Sequence, residues 1–386
     1  MSRISDGRRP GGTPCRTIRF VMPGGVDDPA APSGGNVYDR RMCRELPSVG
    51  WRVLEHVVAG EWPRPGASAR AELERVLRLS RDDSLVLIDG LVACGAPDLV
   101  VPASGRLRLA VLVHLPLGDE TGLDPAAAAE LDAAERLTLR SASVIVTTSE
   151  WAAGRLVEHH GLDPRRVRRA APGVDAAPLA PGTADGHAAV PGRPGPRLLC
   201  VASVTPRKGQ HLLVEALASV AALPWSCELV GGTGNDPGYV ARLRELIAEH
   251  GLTGRVHLAG PRSGPALEAS YAEADLLVLA SHNETYGMVV TEALARGVPV
   301  VATAVGGLPE AVGRAPDGRM PGALVPAGDS AALVAALRHW IVEPGERHRS
   351  RAAARQRRTA LAGWETTARN LAGALDQLRY NLWETE

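Results

Sequence analysis

Ser281-His282-Asn283-Glu284-Thr285-Tyr286-Gly287-Met288-Val289-Val290-Thr291-Glu292-Ala293-Leu294-Ala295-Arg296-Gly297-Val298-Pro299 follows directly on the apolar run 276–280. A short, continuously apolar run reads as a buried strand. The polar residues after it read as a loop, and the Val, Ala and Leu spacing beyond Gly287 as a helix. Strand, loop and helix in this order make the repeating unit of a parallel sheet covered by helices, so the stretch predicts an α/β fold. It also places two acids, Glu284 in the loop and Glu292 roughly one and a half turns inside the helix. Gly287 lets backbone approach backbone at the helix start, where unpaired N–H groups and the positive dipole end favour a diphosphate.

The same alternation runs outward in both directions. On the C-terminal side, strands are predicted at 198–202, 227–230, 256–259, 276–280, 298–302 and 323–325, with helices at 210–222, 238–250, 264–272, 287–296 and 330–342. On the N-terminal side, strands are predicted at 18–22, 52–58, 85–89, 109–114, 143–148 and 167–170, with helices at 36–48, 68–79, 125–141 and 150–160. Between 173 and 196 the chain turns to Pro, Gly and Ala without periodicity, which is linker composition. The expected organisation is therefore two Rossmann-like domains, one over 1–180 and one over 181–363. Their strand C-terminal ends face a central cleft. A helical pattern begins at 350, and the segment 364–386, with Trp364, Leu371, Leu375, Leu378 and Leu382 as its apolar positions, reads as a helix returning to the N-terminal domain.

Composition narrows the function. The 43 basic and 43 acidic residues balance, so no broad field draws the chain to nucleic acid or anionic lipid. Cys15, Cys43, Cys94, Cys200 and Cys227 form no Cys-x-x-Cys pair and read as free thiols. The polar start and the absence of a long apolar run imply a cytoplasmic protein without integral membrane contact. Nearly every cation is arginine, and Lys208 is the only lysine. A flexible ammonium differs from a rigid guanidinium fork where a point charge must meet a phosphate, which makes Lys208 a candidate before any motif is considered.

Lys208 lies in Val201-Ala-Ser-Val-Thr-Pro-Arg207-Lys208-Gly209, where the first strand of the second half ends and its helix begins. Arg207 and Lys208 there can offset charge developing on a phosphate. Paired glycines open the first helix in Pro32-Ser-Gly34-Gly35-Asn36-Val-Tyr38-Asp39-Arg40, and suit close approach of phosphate or sugar. Asn36, Tyr38 and Asp39 read mainly as capping or packing residues, with Asn36 also a candidate for the acceptor. His114 ends a strand at the cleft edge, and Asp119 and Glu120 follow as candidates to bind an acceptor. Gly231 to Gly234, Gly260-Pro-Arg262 and Thr303 to Glu310 occupy further cleft-facing strand ends.

With these motifs in place, the chain resembles the retaining GT-B glycosyltransferases of family 4, convincingly over 197–328. The family signature is two glutamates separated by seven residues in a strand, loop and helix frame, which Glu284 and Glu292 match. The resemblance implies an acceptor-binding domain over 1–180 and a nucleotide-sugar-binding domain over 181–363, with Glu284 contacting the donor sugar and Glu292 the ribose hydroxyls. The backbone at Tyr286, Gly287, Met288 and Val289 would face sugar and phosphate. It assigns Arg207 and Lys208 to the donor phosphates, Gly34 and Gly35 to a loop over phosphate and acceptor, His114 to the donor sugar, and Gly260 with Arg262 to the base.

No Asp-x-Asp closes a strand, so the resemblance implies a metal-independent enzyme without a resident cofactor, fed by a nucleotide-diphosphate sugar, UDP-sugar favoured. Same-face attack would retain the anomeric configuration. The glycine fingerprint of NAD-dependent enzymes is missing after the first strand of either half. A pyridoxal phosphorylase fits poorly with Lys208 at a phosphate-facing turn. The remaining alternatives are a lipid or polysaccharide glycosyltransferase using a UDP- or GDP-sugar, and a non-catalytic nucleotide-sugar sensor. Among acceptors, the composition suits a GC-rich actinobacterium and favours a small molecule such as an aminoglycoside antibiotic intermediate.

Overall fold

A computed structural model of the chain describes residues 16–28, 33–119, 123–183, 195–234 and 236–380. The first lobe is a parallel sheet of six strands: β1 (Arg16–Pro23), β2 (Trp51–Val58), β3 (Leu85–Asp89), β4 (Arg108–Val113), β5 (Val144–Thr147) and β6 (Val167–Arg169). Its helices are α1 (Gly34–Glu45), α2 (Ala67–Leu79), α3 (Gly90–Cys94), α4 (Pro97–Ala103), α5 (Pro125–Ser141) and α6 (Glu150–His160). The strand order is β2-β1-β3-β4-β5-β6.

The second lobe repeats the plan. Its strands are β7 (Arg197–Val201), β8 (Ser226–Val230), β9 (Val256–Gly260), β10 (Leu276–Leu279), β11 (Val300–Thr303) and β12 (Gly322–Val325), in the order β12-β11-β10-β7-β8-β9. Its helices are α7 (Gln210–Ala218), α8 (Pro237–Glu249), α9 (Gly264–Glu273), α10 (Met288–Ala295), α11 (Leu308–Val312) and α12 (Ser330–Val342). The central strands are buried on both faces, as in Leu276, Leu277, Val278 and Leu279, which is why they read as continuous apolar runs and not as alternating ones.

The tail departs from the sequence expectation of one helix starting at 350. It forms α13 (Pro344–Arg357), a short 3-10 turn over Arg358–Ala360, and α14 (Trp364–Tyr380), with a break at 361–363. The break has a packing cause. α13 covers α10, α12 and β12 of the second lobe, whereas α14 lies on α1, β4, β5 and β6 of the first. Trp364, Ala368, Leu371, Leu375 and Leu378 recur at helical spacing and are all buried against Phe20, Tyr38 and Leu112. Each fully buried leucine in that stripe contributes about 1.5–3 kcal/mol. Leu382 lies outside the described residues. The chain thus crosses between lobes twice, and the two crossings meet where Val174 N–H donates to Ala362 O at 3.0 Å.

Helices α3 and α4 lie outside the sequence expectation, because segments this short carry no readable helical period; α11 follows Gly306 and Gly307, which sequence reading allowed to start a helix. The helix expected over 210–222 stops at Ala218, where the Ser219 hydroxyl folds back to Glu215 O.

Candidate active site

In each sheet the chain leaves one strand toward neighbours on opposite sides, and at that point the following loops part to form a crevice. In the second lobe the point lies between β7 and β10, so the crevice is walled by the loops carrying Arg207–Lys208 and Ser281–Gly287. The two loops are stitched together: His282 N–H donates to Arg207 O at 2.8 Å. Gly209 joins the 3-10 turn Pro206–Lys208 to α7 at a φ of 64°, and a Cβ there would sit 2.1 Å from Ala280 O. Only glycine fits this left-handed, crowded position, so it sets the register of Lys208 against the neighbouring loop.

That register brings Lys208 Nζ into contact with Glu284 Oε2, while Arg207 Nη1 lies 3.7 Å from the same oxygen and donates to Asn283 O at 3.4 Å. The three side chains are only 12–14% exposed, so their charges meet with little solvent screening. The loop is held from behind by Gly307 N–H on Glu284 O (2.8 Å) and the Thr303 hydroxyl on Ser281 O (2.6 Å). Gly287, at φ 92°, turns the chain into α10.

Glu292 sits just over one turn along α10 in a different environment. Burial raises its carboxyl above the usual range, against a hydrogen bond from Tyr271 Oη at 2.8 Å and the nearby Arg296, both of which lower it. Burial likewise keeps the Tyr271 phenol protonated, so it is a neutral donor. The two acids are therefore not equivalent: Glu284 faces cations, Glu292 a phenol.

The first lobe presents its own crevice between β1 and β3. Ser33 caps α1 by accepting from Asn36 N–H, and the Gly34–Gly35 turn is wedged between two predicted site residues. A Cβ on Gly34 would lie 3.3 Å from Met288 Sδ at the start of α10, and one on Gly35 would lie 3.0 Å from His114 Cδ2. Glycine is what lets the turn touch both. His114 Nε2 lies 2.8 Å from Asp39 Oδ1 and 3.5 Å from Asp89 Oδ2, with both carboxylates buried. Burial opposes a charged imidazole, but the adjacent Asp39 and Asp89 outweigh it and hold His114 above its ordinary range.

Other predicted residues are committed elsewhere. Asn36 Nδ2 donates to Gly25 O at 3.0 Å, and Asp119 pairs with Arg155 at 3.1 Å. The Arg262 guanidinium grips Glu228 (2.8 and 3.0 Å) and contacts Ser270. Glu120 lies outside the described residues. Tyr286 and Val289 pack against the second core. Of the cysteines, Cys43, Cys94, Cys200 and Cys227 are buried free thiols, and Cys15 is outside the described residues.

Sequence reading missed several residues around the site. Asp39 read as a capping residue, and Asp89 carried one usable signal, an acid closing an apolar strand. Tyr271 gave none. Between the lobes, the Ser149 hydroxyl donates to Thr285 O at 2.6 Å, one residue from Glu284. Glu310 accepts from Glu150 N–H at 2.9 Å and pairs with Arg169 at 2.6 Å. Among the described residues, Asp132 with His159 and His160 brings three potential metal donors within 4.8 Å of one another, as does Asp39 with Asp89 and His114, where the donor atoms already contact one another.

Two parallel, helix-covered sheets meeting at their strand C-terminal ends, with a final helix returned to the first, define the GT-B fold. Residues 191–357 match the family described as "Glycosyl transferases group 1", and the matched range contains the 197–328 segment that carries the sequence resemblance. The chain is 34% identical over 250 residues to a D-inositol 3-phosphate glycosyltransferase of Kineococcus radiotolerans, covering 61% of this chain and 57% of that one. With the same-named protein of Thermomonospora curvata it shares 36% over 252 residues, 61% of this chain and 57% of the relative. The chain thus spans little more than half the length of these relatives. In structure it resembles a sucrose-phosphate synthase of Thermosynechococcus elongatus (TM-score 0.75, 22% identity, covering 94% and 99% of the two chains). It also resembles Anabaena Alr3699/HepE in complex with UDP-glucose (0.70, 21%, 94% and 99%). No helix among the described residues is long and apolar enough to cross a membrane.

Proposed function

We propose that this protein is a glycosyltransferase that moves a sugar from a nucleotide diphosphate, UDP favoured, onto a hydroxyl of a small-molecule acceptor with retention. The observation that carries the reading is the meeting of Lys208, Arg207 and Glu284 at the second sheet's crevice, opposite the Gly34–Gly35 turn and His114. Support comes also from the family match and from a structural relative whose complex holds UDP-glucose.

In this reading the diphosphate lies over Arg207, Lys208 and the start of α10, with Glu292 on the ribose and Glu284 along the sugar. The bond from the anomeric carbon to the phosphate oxygen breaks as the acceptor oxygen bonds to the same face. The acceptor proton passes to the departing diphosphate. The fixed cations neutralise charge where it develops, without a divalent ion. The contacts Ser149–Thr285 and Arg169–Glu310 would hold the lobes closed and keep water from the donor.

The relatives' names point to a cyclitol phosphate as their acceptor; here a cyclitol or amino sugar is proposed. A panel of UDP- and GDP-sugars against inositol phosphates, aminocyclitols and lipid acceptors, with mass detection of product and NMR assignment of the new anomeric centre, tests it. An inverted product, or no product with any donor, rejects the assignment.

A further inference from the structure

We propose that Asp39 is a positioning residue that, with Asp89 beside it, keeps His114 as an imidazolium, so that the ring offers Nδ1–H to a substrate oxygen as a donor and does not act as a general base. This rests on the reading of His114 as a residue of the sugar site. Three observations carry it.

The first is geometry. Both carboxylates converge on one nitrogen, Nε2, at 2.8 and 3.5 Å, and Nδ1 takes part in neither contact. A ring with Nε2–H committed inward can serve a ligand only through Nδ1, and its charge then decides whether it gives or takes a proton. The second is enclosure. Gly35 packs against Cδ2 and Cγ of the ring, and the Tyr38 and His114 ring centroids stand 5.2 Å apart with the planes at 70°, so residues of α1 crowd the ring and oppose the turn that would exchange its nitrogens.

The third is charge balance. Asp39 is fully buried and its Oδ2 has no hydrogen-bond partner. Such a carboxylate is costly unless a cation stands beside it, and among the described residues His114 is the group that pairs with it. The groups facing the ring are Asp39 and Tyr38 from α1 and Asp89 from the end of β3. Burial and the Asp39 charge push the Asp89 carboxyl up to about 7, so near neutrality it carries part of a proton while Asp39 balances the ring.

The test is 15N–1H NMR of the histidine rings from pH 5 to 9 on the wild-type protein, with the H114Q spectrum assigning the signal that disappears. The expected result is a charged His114 ring at pH 7, with a titration midpoint at least one pH unit lower in D39N and a smaller displacement in D89N. A neutral ring at pH 7 in the wild type, or an unmoved midpoint in folded D39N, overturns the proposal. So does a stoichiometric metal in the purified protein that D39N lacks. If wild type turns over a UDP-sugar, the alkaline fall of kcat moves to lower pH in D39N and is restored in D39E. Failure of every donor would reject the proposed activity while the ring spectra still decide this point.

Discussion

Lys208 Nζ meets Glu284 Oε2 across a separation of 76 residues, joining the chain's only lysine to the first acid of its signature loop. The pairing has a consequence for any ligand: a diphosphate entering this crevice must draw Lys208 partly away from Glu284, releasing the carboxylate for sugar hydroxyls. Lys208→Ala is therefore expected to lower kcat by about 10²–10³, the cost of losing one preorganised donor at a developing charge. Circular dichroism should be unchanged, since Arg207 stays near Glu284. Lys208→Arg should recover little, because a planar fork is not a point charge. Wild-type turnover by the alanine variant would remove Lys208 from the mechanism.

The second acid can be tested through its neighbour. Tyr271→Phe deletes the hydrogen bond to Glu292 and should weaken UDP binding by about 1 kcal/mol, roughly fivefold, with kcat nearly unchanged. The pH dependence has a definite sign. The phenol lowers the Glu292 pKa, so without it the carboxylate protonates at higher pH. Calorimetric titration should show UDP affinity falling earlier on acidification than in wild type; identical curves would mean that Glu292 does not bind the ribose as a carboxylate.

Glu310→Ala removes the Arg169 pair and the acceptor for Glu150 N–H while leaving both cores intact. The lobes should open more often, which small-angle scattering would register as a larger radius of gyration, and donor hydrolysis should rise relative to transfer. A ratio of hydrolysis to transfer equal to wild type would assign this contact to stability alone.

Backbone geometry at the crevice gives a fourth test. Gly209→Ala forces a Cβ into Ala280 O at a φ of 64°, and should cost about 1–3 kcal/mol in thermal or urea unfolding along with most of the activity. Gly254→Ala is the control: a Cβ there has open space and no left-handed φ, so its midpoint should match or exceed wild type. Equal behaviour of the two variants would contradict the role given to Gly209.

Strand positions were legible because burial on both faces leaves apolar runs that local spacing reveals; β3, α5, α6 and α12 fall on the residues expected from pattern alone. Glu284 and Glu292 were legible for the same reason, since the strand, loop and helix frame that fixes them is local. The tail was misread because its periodicity does not say which lobe a helical face will cover, and Leu361–Gly363 looks no different from a helix interior in apolar content.

The sequence by itself determined the alternation of strands and helices, the frame of the two acids and the singularity of Lys208. Only the tertiary structure decided that β7 lies between β8 and β10, that β1 lies between β2 and β3, and that Asp39 and Asp89 close on His114. The physical reason is range. Period and cap are set by neighbours a few residues apart, whereas strand order and side-chain pairing are chosen by the packing of segments far apart in the chain, which leaves no periodic trace in any one of them.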